Sequence, residues 1–195
     1  MKFEKVIPVI ILVVLLLGTT IICSAQLVYL SVAETSSKAR DLLYTFVHIS
    51  DVQDLSQYYP ETLNYTFRWI ESKKDELKIV AVIITGDLVN TYNDVSQWEN
   101  YLEAKKLTTV PIYEVAGNHD NDYGRDFTYY EKYIGANETF YAVPISRHFM
   151  LIGISWNGTN NLITEDLVSW FRGVIRYNPD KYFIIATHYY VNEDT

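Results

Sequence analysis

Apolar runs that each stop at a polar, metal-competent residue constrain this chain more than any other feature. Residues 79–85 are almost continuously apolar, as a strand covered on both faces requires, and Gly86-Asp87 comes directly after them. Residues 44–49, rich in β-branched and aromatic side chains, run into Ser50-Asp51-Val52-Gln53. Residues 110–116 run into Gly117-Asn118-His119-Asp120, and residues 182–186 into Thr187-His188. A lone Asp after a strand is ordinarily a turn or cap residue. Its recurrence, with amide and imidazole groups beside it, points instead to one shared site.

Helical patterns separate these strands. Pro60 suits a first turn and opens a helix over 60–73. Ser96 with Glu99 reads as a capping box before a helix to Lys105. Residues 164–175 place Leu167, Val168, Phe171, Val174 and Ile175 on one side of a helix. Residues 139–143 and 149–154 read as two further strands. Alternating strands and helices imply a layered α/β domain, and in open α/β sheets ligands gather at the carboxyl ends of strands. Gly86 and Gly117 allow sharp turns just before the polar residues. Carboxylate and amide oxygens with imidazole suit manganese, iron or zinc, and no thiolate is present to select a softer metal.

Four stretches together carry a resemblance: Ile49-Ser50-Asp51-Val52-Gln53, Thr85-Gly86-Asp87-Leu88-Val89-Asn90, Gly117-Asn118-His119-Asp120 and Ala186-Thr187-His188. With them the chain resembles the calcineurin-like metallophosphoesterases from about residue 44 to its end. The resemblance implies a layered β-sandwich core flanked by helices and a domain over 44–195. It also implies two divalent metal ions, manganese favoured, that activate water against phosphomono- or diesters, nucleotides among them. Asp51 and Gln53 then bind the first metal, Asp87 bridges both, and Asn118 and His188 bind the second. His119 contacts the phosphate and protonates the leaving oxygen, and Asp120 orients His119. Two departures stand out. Position 53 is Gln where the family usually has His, and a neutral oxygen ligand favours harder manganese or magnesium. The family's later Gly-x-His-x-His element is not found before Thr195, so a domain truncated at its C-terminus is expected. The competing expectation is a non-catalytic extracellular membrane glycoprotein that keeps the scaffold.

The N-terminus sets location. Residues 6–33 carry no charge, and 6–22 are dominated by Val, Ile and Leu. A helix of about 25 residues spans a hydrocarbon core of about 30 Å. Segment 1–33 therefore reads as a single-pass transmembrane helix, with 34–43 as a linker. Lys2 and Lys5 place the N-terminus in the cytoplasm and the domain outside. A signal segment cleaved near Cys23-Ser24-Ala25 and a secreted domain is the alternative. Sequons at Asn64, Asn137 and Asn157 fit an external, glycosylated protein. Cys23 is the one cysteine, so no internal disulfide forms. The net charge of -8, without a Lys/Arg cluster, excludes a nucleic-acid surface of the basic kind. Phosphate esters then need metal ions for their positive charge, and nothing in the sequence sets the oligomeric state.

Overall fold

Parallel strands with short polar ends dictate the architecture. The computed structural model describes residues 44–135, 139–157 and 164–189, with the backbone of 28–30. The elements run β1 (Val28–Leu30), β2 (Thr45–Ile49), α1 (Gln53–Tyr58), α2 (Pro60–Lys73), β3 (Ile79–Ile84), α3 (Val95–Lys105) and β4 (Ile112–Glu114). A 3-10 turn at His119–Asn121, α4 (Thr128–Ile134), β5 (Phe140–Pro144), β6 (Phe149–Ile154), α5 (Glu165–Tyr177) and β7 (Tyr182–Thr187) complete the order. Two sheets result, one ordered β1-β2-β3-β4 and the other β5-β6-β7. In the first, β2, β3 and β4 are parallel and β1 joins β2 antiparallel. In the second, β6 and β7 are parallel and β5 is antiparallel.

The strands of the first sheet are apolar on both faces because both are covered. Val47, Ile49, Val82 and Ile84 point to the helices and pack with Leu63, Phe67, Ile70, Trp98 and Tyr101. Phe46, Ala81, Ile83 and Val115 point to the second sheet and meet Ile145, Leu151 and Ala186. The fold is thus a two-sheet layered core flanked by helices, as expected.

Several local features differ from expectation. The cap of α3 is Asp94, whose Oδ1 accepts from the backbone N–H of Ser96 at 2.9 Å, and not a Ser96–Glu99 box. Helix α1 begins two residues after Asp51, though its sequence QDLSQY has no apolar stripe. Helix α4 carries the aromatic-rich TYYEKYI, which has strand propensity, but Tyr130 packs against Trp98 and Phe127 and holds it helical. Of the expected apolar stripe on α5, Leu167 is buried while Ile175 is exposed.

The apolar run 6–22 and the linker 34–43 lie outside the described residues. Strand β1 comes from within segment 1–33. Among the described residues, no helix is long and apolar enough to cross a membrane.

Candidate metal centre

Register brings the polar loops together. Ile49 pairs with Ile84, and Ile84 with Glu114, so the carboxyl ends of β2, β3 and β4 open onto one edge. Asp51 and Asp87 both turn the chain in the left-handed region, at φ 58° and 55°, where Asp is better tolerated than bulkier residues. Gly86 precedes the second turn at φ 96°. A Cβ on Gly117 would stand 2.2 Å from Asp87 Oδ1 and 2.4 Å from its backbone N. Only a glycine lets the two loops approach this closely.

Asp87 is the hub. Its carboxylate accepts from Gln53 Nε2 at 3.2 Å on one oxygen and from the His119 backbone N–H at 3.1 Å on the other. His188 Nε2 lies 3.6 Å from Asp87 Oδ1 and 3.0 Å from Asn118 Oδ1. One atom each from Asp51, Asp87 and His188 lie within 4.8 Å of one another. Asp51, Gln53, Asp87, Asn118 and His188, drawn from four loops, therefore share one small volume.

Its chemistry suits cations. The Thr85 carbonyl accepts from His188 Nδ1 at 2.8 Å, which fixes the tautomer of the neutral ring and leaves Nε2 as a lone pair. In that neutral form the lone pair faces carboxylate and amide oxygens, so a proton or a cation is needed between them. Gln53 Oε1 is buried without a hydrogen-bond partner, at a free-energy cost unless something satisfies it. Burial raises the pKa of Asp87, opposed by His188 and the His119 N–H and reinforced by Asp51. Divalent cations answer all of these at once, so the residues fit the metals that the resemblance implies.

His119 adjoins this cluster, but Asp120 does not hold it, and that expectation is corrected. Asp120 is fully buried. Its Oδ1 accepts the N–H groups of Leu88 at 2.7 Å and Val89 at 3.1 Å, and its Oδ2 that of Gly117 at 2.8 Å. Burial raises its pKa, against the pull of those donors. Asp120 is a clamp between the loop after β3 and the loop after β4. The Asn90 backbone carbonyl holds His119 instead, accepting from Nδ1 at 2.8 Å. A backbone carbonyl leaves no mark in residue type, so sequence reading cannot single it out. The Asn90 side chain is occupied elsewhere, donating to Gln57 Oε1 at 2.6 Å.

The remaining histidines, His48 and His148, are exposed. His48 Nε2 pairs with Thr85 Oγ1 at 2.8 Å, and the His148 ring lies against Tyr44. Among the sequons, Asn64 lies inside α2 with its Oδ1 buried. Asn137 is outside the described residues, and Asn157 precedes another segment outside them.

Comparisons with known proteins bear on the family and the fold. The family model for calcineurin-like phosphoesterases matches residues 44–194. The Bacillus subtilis (strain 168) protein YvnB, itself uncharacterized, is 30% identical over 170 residues, spanning 78% of this chain and 13% of YvnB. Purple acid phosphatase PPD1 from yellow lupin (Lupinus luteus) seeds superposes with a TM-score of 0.54 at 18% identity, over 72% of this chain and 29% of that one. A dimetal phosphatase from Danio rerio gives a TM-score of 0.44 at 14% identity, over 71% of this chain and 53% of that one. The chain thus spans a small part of the length of YvnB and under a third of the lupin enzyme. The lupin likeness concerns the fold.

Proposed function

The chain belongs to the calcineurin-like phosphoesterase family, and on that premise we propose that it hydrolyses phosphomono- or diesters with two divalent cations. Asp51 and Gln53 would hold the first ion and Asn118 and His188 the second, with Asp87 available to either. Oxygen donors outnumber nitrogen in this set, which favours manganese. Bound cations would supply Lewis acidity, making water a nucleophile at neutral pH and neutralising phosphoryl oxygens.

The protein's own groups do the rest. The Asn90 carbonyl holds a proton on His119 Nδ1, so Nε2 is the ring atom left to carry the transferable proton. His119 Nε2 then hands its proton to the departing oxygen, a step worth about 10²–10⁴-fold. The Thr85 carbonyl keeps His188 in the tautomer that ligates. Asp120 fixes the spacing of the loops that carry Asp87 and Asn118.

The observation that carries the proposal is the packing of acceptors against acceptors around Asp87. The test is manganese-dependent hydrolysis of p-nitrophenyl phosphate and of its bis ester, with Asp87→Ala beside the parent. Turnover lost together with manganese binding in Asp87→Ala supports the reading. Manganese binding without turnover of any ester would favour a non-catalytic glycoprotein, the reading that Gln53 supports.

We place the domain outside a membrane, anchored by residues 6–22, with β1 already part of the folded unit. The uncharged run and the lysines before it support that placement. Extraction of the native protein by carbonate, without detergent, would overturn the anchor.

A further inference from the structure

Rings line one side of the candidate centre from end to end. The His119 ring lies 5.8 Å from Tyr123, Tyr123 lies 6.4 Å from Trp156, and Trp156 lies 5.9 Å from Tyr189. Tyr189 then meets His188 edge to face at 4.9 Å. The chain of rings starts at the proposed proton donor and ends at a proposed metal ligand.

Rings that pack this fold, such as Trp98 and Tyr130, are fully buried, whereas Tyr123 and Tyr189 each keep 51% of their surface in water. Tyr123 also sits at φ 54°, directly after Asp122 at φ 50°. Two successive residues in the left-handed region, one of them bulky, are uncommon, and such strain persists where the surroundings enforce it. They do so here: the Tyr123 N–H donates to the Asn118 carbonyl at 2.9 Å, and the Gly124 N–H to Asn121 Oδ1 at 2.8 Å. The Trp156 backbone is pinned as well, its N–H donating to the Ala116 carbonyl at 2.9 Å and its carbonyl accepting from Asn121 Nδ2 at 2.5 Å. Half-exposed aromatic faces held rigidly beside a polar centre are what a flat ring can stack on.

We propose that Tyr123, Trp156 and Tyr189 form a stacking wall for a planar ring on the leaving group, so that the preferred esters carry a nucleobase or a similar ring. The fate of the ester rests on the phosphoesterase reading, but ring binding can be measured separately. The wall adds recognition on the leaving-group side, where His119 stands. It is blind to the hydrogen-bonding edge of the ring, because stacking uses only the face.

The test compares adenosine 5'-monophosphate with ribose 5-phosphate, which present the same ester oxygen and differ by the base. The full chain with manganese is assayed for kcat/KM and, by calorimetry, for the Kd of each compound. The parent protein should favour the nucleotide about tenfold or more in both measures. Tyr123→Gly combined with Tyr189→Ala should bring both ratios close to one, and Tyr123→Phe should preserve them. Tyr123→Gly should melt no lower than the parent, since glycine relieves the left-handed turn. Equal Kd values for the two compounds in the parent, or equal losses for both in the variants, would overturn the wall. A nucleotide preference in Kd without hydrolysis of either compound would keep the wall and remove the hydrolase reading. Equal hydrolysis of both would do the reverse.

Discussion

Adding one methyl group at Gly117 tests the architecture of the centre most directly. The Cβ of Gly117→Ala would stand 2.2 Å from Asp87 Oδ1 and 2.4 Å from Asp87 N, where ordinary contact begins near 3.4 Å. The shortfall is about 1 Å against a backbone nitrogen, so no rotamer of Asp87 relieves it. The two loops must separate. Asp120 resists, because its bonds of 2.7 and 3.1 Å to Leu88 and Val89 cross the same gap, and its bond of 2.8 Å to the Gly117 N–H holds the glycine to that clamp. Overpacking costs about 1–3 kcal/mol, and freeing a buried N–H adds about 1–3 kcal/mol. The sum, about 2–6 kcal/mol, corresponds to a fall in Tm of roughly 5–20 °C for a domain of this size. Metal sites tolerate about 0.2 Å of ligand displacement, so manganese affinity should fall at least about 100-fold. Calorimetric titration with manganese and a thermal melt read both effects. Gly173→Ala is the control, since its Cβ meets nothing within 4 Å. A Gly117→Ala protein that bound manganese and melted like the parent would refute the close approach of the two loops.

His119→Ala should retain manganese affinity while kcat falls about 10²–10⁴-fold, and unchanged turnover would remove its role as proton donor. Asp120→Asn sets an amide N–H₂ against at least one backbone N–H, so urea unfolding should show a loss of about 1–3 kcal/mol, and a stability like the parent's would disprove the clamp. Burial holds the Glu114 carboxyl above its ordinary value, with Lys105 opposing. Its contribution to stability is therefore complete below about pH 4 and is lost as pH rises through the raised value. The parent should lose stability relative to Glu114→Gln as pH goes from 4 to 7, and parallel stability curves would contradict this. Manganese at 100 times its Kd should stabilise the fold by about 2.7 kcal/mol and chelator should reverse that, whereas a Tm indifferent to both would argue against a preformed site.

Strand-end polarity makes most of the site legible in the sequence. Asp51, Gln53, Asp87, Asn118 and His188 all stand where an apolar run stops, and the parallel register of β2, β3 and β4 is why the first three stops converge, while His188 follows β7 of the second sheet. Helix α2 is equally readable, because Pro60 marks its first turn. Helix α4 is not, since its aromatic residues favour strands and tertiary packing of Tyr130 overrides them. Asp120 is deceptive for a different reason. Its neighbour in sequence is His119, but its carboxylate points into the protein toward N–H groups some thirty residues earlier. Adjacency in the chain says nothing about which way successive side chains face.

The corrected role of Asp120 changes how the centre holds together. Donors and acceptors in these loops are divided by depth. Below the site, backbone N–H groups of Leu88, Val89 and Gly117 are spent on Asp120, which locks the loops without contributing to their mouth. At the mouth, acceptors remain in excess: Asn118 Oδ1, His188 Nε2 and Gln53 Oε1 face one another's kind or no partner at all. Had the N–H donors of the lower layer pointed upward, they would have bound an anion, as helix and loop termini often do. Because Asp120 consumes them, acceptors form the majority at the mouth, a donor set that suits cations, and under the proposed function the phosphate would be drawn by the metals rather than by the backbone. On the proposed reading, an acidic chain with net charge -8 would handle a phosphate ester through one local reversal of sign.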